Sequence, residues 1–263
     1  MKERLISVTN AVGVFAVLLV IWQGIIWIFH VAPYMLPSPL AVAKAVPAKF
    51  PSLLNAFSIT ALEAAGGLAG SITVGVTVAL LFAQSRWVRR MLYPYTLLLQ
   101  TVPIIAISPL ILMWVGAGAG AVTLIAFIIS LSPIIANVTQ GLISTDENMV
   151  HLFLMHNASP LQLLFKLRLP NAIPSLFVGI RIATGLAVIG AITGELYAGS
   201  SRVGQGGLGY SIFYASSQLQ TDYLFALVAA ATVLGFSFVF LVMFLEWYFL
   251  ESWHESARKP ELE

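Results

Sequence analysis

The chain has 263 residues, of which 59% are hydrophobic and 9% are charged, and its formal net charge is +2. Soluble domains are about 45–50% apolar and about 25% charged, so this composition is that of a membrane protein. Cysteine is absent, which excludes disulfides and thiolate metal sites. The basic residues are spread over loops, and we expect no basic face for nucleic acid.

Long stretches without Lys, Arg, Asp or Glu predict the membrane spans, because a spanning helix needs about 20 apolar residues. We predict a single all-α membrane domain, residues 1–263, with about six spans at about 11–31, 57–84, 91–115, 120–144, 174–198 and 223–250. A cleaved signal peptide is the alternative for the first span. Its apolar run is longer than the usual 7–15 residues and ends in bulky aromatic residues, so we expect it to be retained.

The placement of positive charge predicts the orientation. With the N-terminus inside, nine Lys and Arg residues fall on the cytoplasmic side and three on the outer side. Because basic residues concentrate in cytoplasmic loops, both termini are expected in the cytoplasm. On the outer side, the connection at about 32–56 predicts a short helix at the membrane surface.

The inner connection, about 145–173, is the segment with the most functional information. It predicts two short helices, Met149–Asn157 and Pro160–Leu167, the second capped by Ser159 with Pro160 at its first position. An amphipathic helix on lipid is one interpretation of the first helix. That helix has no Lys or Arg to hold it on an anionic leaflet, which favours docking into a groove of a second protein.

The spacing within this segment resembles the cytoplasmic signature of binding-protein-dependent ABC importer permeases. That signature is Glu-Ala-Ala, then Gly after three residues, then Ile-x-Leu-Pro after nine more. Here Leu167-Arg168-Leu169-Pro170 fits its end, and Asn157 stands where Gly is usual. Asn is the second choice after Gly for a left-handed backbone, so we expect Asn157 to preserve the turn. The resemblance gives these candidate residues for coupling to an ATPase: His151, Leu152, Phe153, Leu154, Asn157, Ser159, Pro160, Leu167, Leu169 and Pro170.

Further motifs extend the resemblance to the subgroup that imports nitrate, sulfonates, taurine and pyrimidine precursors. They are Leu36-Pro37-Ser38-Pro39, Pro170-Asn171-Ala172-Ile173-Pro174-Ser175, Gly179-Ile180-Arg181, Glu195, Gly207-Leu208-Gly209-Tyr210 and Thr221-Asp222. The resemblance implies a type I ABC importer fold in a bacterial inner membrane. It also implies a second permease copy, expected as a homodimer, two cytoplasmic ATPase subunits and an extracytoplasmic solute-binding protein. The chain has no phosphate-binding Gly-x-x-x-x-Gly-Lys-[Ser/Thr] motif, so ATP and Mg are expected on the ATPase and this subunit is expected to be neither an enzyme nor a cofactor carrier.

Five residues are candidates for a translocation path: Gln100, Thr101, Pro103, Ser108 and Glu195. Prolines in spans are tolerated where neighbouring helices or water satisfy the freed carbonyls, although a kinked packing helix is an equal alternative. Glu195 is a functional candidate as an ionisable group at membrane depth, and a buried contact to a neighbouring helix is its equal alternative. The four histidines show no metal-binding spacing, so no metal site is expected.

Three other functions are less compatible with the sequence. An intramembrane serine enzyme lacks a histidine base within a helix core. An ion-coupled secondary transporter would commonly show an internal repeat and a mid-span acid, and neither is evident. A passive scaffold does not account for the spacing in residues 145–173. The sequence therefore predicts an importer permease that forms the path for a small polar or anionic solute.

Overall fold

The structure, a computed structural model, describes residues 2–198 and 206–250, and every regular element in these ranges is a helix. In chain order the helices are α1 (Lys2–Phe29), α2 (Pro39–Ala48), α3 (Phe50–Gln84), α4 (Arg86–Thr101), α5 (Ile104–Val115), α6 (Ala119–Ile143), α7 (Glu147–Met155), α8 (Pro160–Leu163), α9 (Leu169–Ala198), α10 (Leu208–Ser217) and α11 (Thr221–Leu250). A π-helical turn, Leu164–Arg168, joins α8 to α9.

Four of the described helical segments are long and apolar enough to cross a membrane: α3, α6, the continuous run Pro160–Ala198 and α11. The pair α4 and α5 would make a fifth span, and the Gly13–Phe29 part of α1 is a shorter apolar helix. These elements confirm the prediction of an all-α membrane protein. With α4 and α5 counted together, these long segments coincide with five of the predicted spans, and the span predicted at about 11–31 falls on the shorter apolar helix of α1.

The predicted span at about 91–115 differs from a single helix, because α4 and α5 meet at 100°. Val102 precedes a proline, which disfavours the helical conformation, and it is extended at φ −71° and ψ 120°. Pro103 has no N–H to continue the helical ladder. By contrast, Pro94 and Pro109 lie inside α4 and α5 without breaking them. We call this α4–α5 pair the elbow.

Small residues let α3, α6 and α9 approach closely. A Cβ added at Gly67 of α3 would lie 2.6 Å from the Cβ of Ala126, and one added at Gly190 of α9 would lie 2.7 Å from Cγ2 of Ile129. Gly185 of α9 is not at such a contact, since a Cβ there would meet nothing within 4 Å. The close contacts fix the distance between the three central helices.

The predicted surface helix in the outer connection is α2. Ser38 caps it, accepting the N–H of Ala41 at 3.2 Å. Its side chains Val42 and Val46 pack against the core cluster that includes Ala226 of α11. The helix is therefore held by the protein core and does not depend on lipid alone.

Candidate functional site

The inner connection contains two short helices, as predicted, separated by a left-handed turn at Asn157. The first is Glu147–Met155 instead of Met149–Asn157, and the second ends at Leu163 instead of Leu167, where the π turn begins. Asn157 has φ 55°, its N–H donates to the carbonyl of Leu154 at 3.0 Å, and the N–H of Ala158 donates to Phe153 at 3.1 Å. This pair of bonds is a Schellman motif, which normally uses Gly at the left-handed position. The expectation that Asn157 preserves the turn is confirmed.

Helix α8 begins with a complete capping box. Ser159 Oγ accepts the N–H of Gln162 at 3.2 Å, and Gln162 Oε1 accepts the N–H of Ser159 at 2.8 Å. Pro160 occupies the first turn, where no N–H is needed. Pro170 has no N–H to donate to a carbonyl of the preceding turn. Just before it the helix is wider, since the N–H of Leu169 donates to the carbonyl of Leu164, five residues earlier, across the π turn.

The tip of this segment presents apolar side chains outward. None of the side chains of α7 is buried. Leu152 is 48% exposed, Leu154 is 52% exposed and Met155 is 80% exposed, while Phe153 is half-buried and His151 is exposed. An exposed apolar surface of this kind marks a site of interaction.

The base of the segment is fixed to the helix bundle. Leu163 and Leu164 are buried, and Arg168 donates from Nη1 to the carbonyl of Ala83 at 3.2 Å, near the end of α3. The remaining predicted coupling residues Leu167, Leu169 and Pro170 are half-buried here. A rigid base thus carries an exposed apolar tip.

A cavity of about 420 Å³ lies between the elbow, α6 and α9. Its polar side chains are Gln100 and Asn137, and the Asn137 amide donates to the carbonyl of Pro133 at 2.8 Å. The apolar lining consists of Leu99, Val102, Ile104, Ile129, Pro133, Ala136, Ile182 and Leu186. Within the part of the chain that the structure describes, the wall therefore offers amide groups and no charged side chain.

The structure brings only part of the predicted path together. Gln100 lines the elbow cavity, and Pro103 forms the break beside it. Thr101 is exposed and donates to the carbonyl of Leu98 at 2.9 Å. Ser108 is buried and donates to Ile104 at 2.7 Å within α5, and neither it nor Glu195 lines the cavity.

Glu195 instead joins three helices. It is 3% exposed, and its Oε1 accepts the hydroxyl of Thr60 on α3 at 2.6 Å. Its Oε2 accepts the N–H of Gly209 at 2.6 Å, and Thr60 Oγ1 accepts the N–H of Leu208 at 2.8 Å. A Cβ at Gly207 would collide with the carboxylate, so the glycines of the Gly207–Tyr210 motif allow the backbone to reach it. The arrangement matches the buried helix contact that was one of the two interpretations of Glu195.

Sequence reasoning did not pair Glu195 with Glu63, which is 7% exposed and lies beside it. Glu63 Oε2 is buried, and no hydrogen-bond partner for it lies among the described residues. The available signal was helical spacing, since Thr60, Glu63 and Gly67 follow the i, i+3, i+7 pattern of one face of α3. Arg181 pairs elsewhere, with Glu246 of α11.

The family described as binding-protein-dependent transport system inner membrane component matches residues 71–250. A protein of Haemophilus influenzae named "Probable ABC transporter permease protein" is 36% identical over 251 residues, covering 94% of this chain and 99% of the relative. The formylaminopyrimidine transport permease protein of Halalkalibacterium halodurans is 32% identical over 84% of this chain and 86% of its own.

Other relatives are named as permeases for taurine, aliphatic sulfonates and nitrate. A solved structure of an amino acid ABC transporter matches with a TM-score of 0.59 at 16% identity, over 76% of this chain and 95% of that one. The resemblances drawn from the sequence motifs, to the permease family and to its subgroup, are confirmed, as is the permease fold.

Proposed function

The chain belongs to the family of binding-protein-dependent transport system inner membrane components, and on that premise we propose how this ABC importer permease is driven and what it carries. It is a transport subunit, and the hydrolysis of ATP takes place on a partner ATPase that binds ATP and Mg. The full transporter contains two copies of this chain as a homodimer, two ATPase subunits and an extracytoplasmic binding protein. It lies in a bacterial inner membrane with both termini in the cytoplasm.

The exposed apolar tip of α7 is the observation that supports ATPase docking. Leu152, Leu154 and Met155 form a short apolar helix face of the kind that binds in a protein groove. The Schellman turn and the capping box fix α7 relative to α8, so that both move together. The bond from Arg168 to Ala83 then connects this movement to α3.

Transport follows from rigid-body movement of helices. Closure of the ATPases moves the segment at about 150–163, and α9 continues directly from that segment through the π turn. Because α9, α6 and α3 are closely packed, they move as one group, and the path alternates between inward and outward openings.

The elbow cavity supports a small polar or anionic solute as cargo. The Gln100 and Asn137 amides can donate hydrogen bonds to an oxyanion or to a heteroaromatic ring, and none of the described residues places an acidic side chain in the cavity lining to repel an anion. Relatives named for formylaminopyrimidine, taurine, sulfonates and nitrate fit this class. We assign the solute to the nitrate, sulfonate, taurine or pyrimidine-precursor type, with the external binding protein making most of the selection.

A charge placed on the α7 tip tests ATPase docking. Leu154→Asp is expected to abolish co-purification of the ATPase, because the carboxylate would be desolvated in an apolar groove, while the permease stays monodisperse. Gln162→Glu is the matched control, since it adds the same charge to the segment and preserves the capping box at Ser159. Retention of the ATPase by Leu154→Asp, or its equal loss in both variants, would contradict the docking site.

A further inference from the structure

A second cavity, about 810 Å³ in volume, lies at the inner end of the molecule between the start of α4 and the end of α6. Three arginines line one side, Arg86, Arg89 and Arg90, and no carboxylate of the described residues lines the cavity. Arg89 is half-buried and the other two are exposed. Among the residues that the structure describes, none of the three has an ion-pair partner.

This placement of positive charge is unfavourable in the absence of an anion. The arginines are spaced i, i+3 and i+4, so they share one face of α4 and repel each other. They also occupy the first turns of the helix, whose N-terminus already carries partial positive charge. An anion bound between them would remove both penalties.

The opposite wall supplies a hydrogen-bond donor without a partner. Thr139 of α6 is 1% exposed, and its hydroxyl has no hydrogen-bond partner among the described residues. Comparable hydroxyls in the bundle bond to the carbonyl four residues earlier, as Thr184 does to Ile180 at 2.7 Å and Ser130 does to Ala126 at 2.6 Å. Thr139 is one of the residues that line the cavity, and no acceptor among the described residues competes for its hydroxyl.

We propose that this cavity is a binding site for a tetrahedral oxyanion, the phosphate of an anionic lipid headgroup or a free phosphate. Guanidinium groups bind phosphate through paired, charge-assisted hydrogen bonds, and the Thr139 hydroxyl adds a neutral donor. The phosphate of a lipid is the nearest source, because the site lies where α3 ends and α6 ends, at the membrane boundary. This site is separate from the elbow cavity and from the α7 tip.

The test measures thermal stabilisation of the purified transporter in detergent against increasing phosphatidylglycerol, phosphatidylcholine or inorganic phosphate. Saturable stabilisation by phosphatidylglycerol alone identifies the lipid headgroup, and saturable stabilisation by inorganic phosphate as well identifies a free oxyanion. Arg89→Gln is expected to weaken the apparent affinity at least about tenfold. The matched control Lys166→Gln, a charge removed at the same end but outside the cavity, should retain the wild-type affinity.

Thr139→Val separates a binding role from a structural one. Removing an unpartnered buried hydroxyl should leave the unliganded protein as stable as the wild type or more so, yet weaken the affinity several-fold. The proposed site does not exist if no ligand stabilises the transporter saturably. It also does not exist if Arg89→Gln and Lys166→Gln weaken the apparent affinity equally, because the arginines then attract anions only as diffuse charge. A loss of the ATPase in Arg89→Gln with unchanged anion affinity would likewise overturn it.

Discussion

Replacing Glu195 by alanine is expected to detach the first turn of α10 from α3 and α9. The carboxylate is the acceptor for the N–H of Gly209, and no solvent reaches this site, since Gly209 is buried and Glu195 is 3% exposed. In the variant that N–H loses its partner. Thr60 is less affected, because its hydroxyl can also donate to the carbonyl of Ala56 at 3.1 Å.

The loss of stability expected for Glu195→Ala follows from these contacts. A buried N–H without a partner costs about 1–3 kcal/mol, and the lost methylene adds about 0.8 kcal/mol of hydrophobic burial. The total of about 2–4 kcal/mol corresponds to a Tm lower by at least about 4 °C, at about 2 °C or more per kcal/mol for a chain of this size.

Glu195→Gln is the matched variant, and it also decides between the two interpretations of Glu195. Its Oε1 can still accept from Gly209 while its amide donates to Thr60 Oγ1, so the Tm is expected within about 2 °C of the wild type. The assay is thermal unfolding of detergent-purified permease, followed by its monodisperse fraction, with uptake measured in parallel. An unchanged Tm in Glu195→Ala would refute the contact, and wild-type stability with lost uptake in Glu195→Gln would show that the charge itself is functional.

Two further pairs of substitutions test the coupling turn and the helix packing. Asn157→Gly should keep ATP hydrolysis coupled to uptake. Asn157→Val should uncouple them, because a β-branched residue at φ 55° costs about 1–2 kcal/mol. Equal ratios of solute transported to ATP hydrolysed in the two variants would contradict the role of the turn. Gly67→Ala should lower the Tm measurably, because its Cβ would meet the Cβ of Ala126 at 2.6 Å. The control Gly185→Ala has open space around the new Cβ, so it should be neutral or slightly stabilising. Similar changes in Tm in the two variants would refute the close packing of α3 on α6.

Local signals in the inner connection were sufficient to predict its structure. Ser159 and Pro160 gave the start of α8, and the spacing to Pro170 placed Asn157 at a turn that only a few residue types accept. Helix caps and turns are determined by residues that are close together in the chain, so a single sequence contains the information needed to predict them.

Contacts between distant segments were harder to predict. Nothing near Glu195 in the sequence indicates Thr60 or Glu63, which lie more than 130 residues away and meet it only after α3 packs on α9. The bend at Pro103 was also missed, since a proline inside an apolar run is compatible with a kink or with a break. Pro94 and Pro109 leave their helices continuous, whereas the chain breaks at Pro103.

The most direct test of the central claim is solute uptake into proteoliposomes that contain this chain, its ATPase and its binding protein. Uptake should require ATP enclosed in the vesicles, on the side that carries the ATPase. It should be lost in Leu154→Asp and should persist in Gln162→Glu. Uptake by the permease alone under an ion gradient, or ATP-dependent uptake unaffected by Leu154→Asp, would contradict the account.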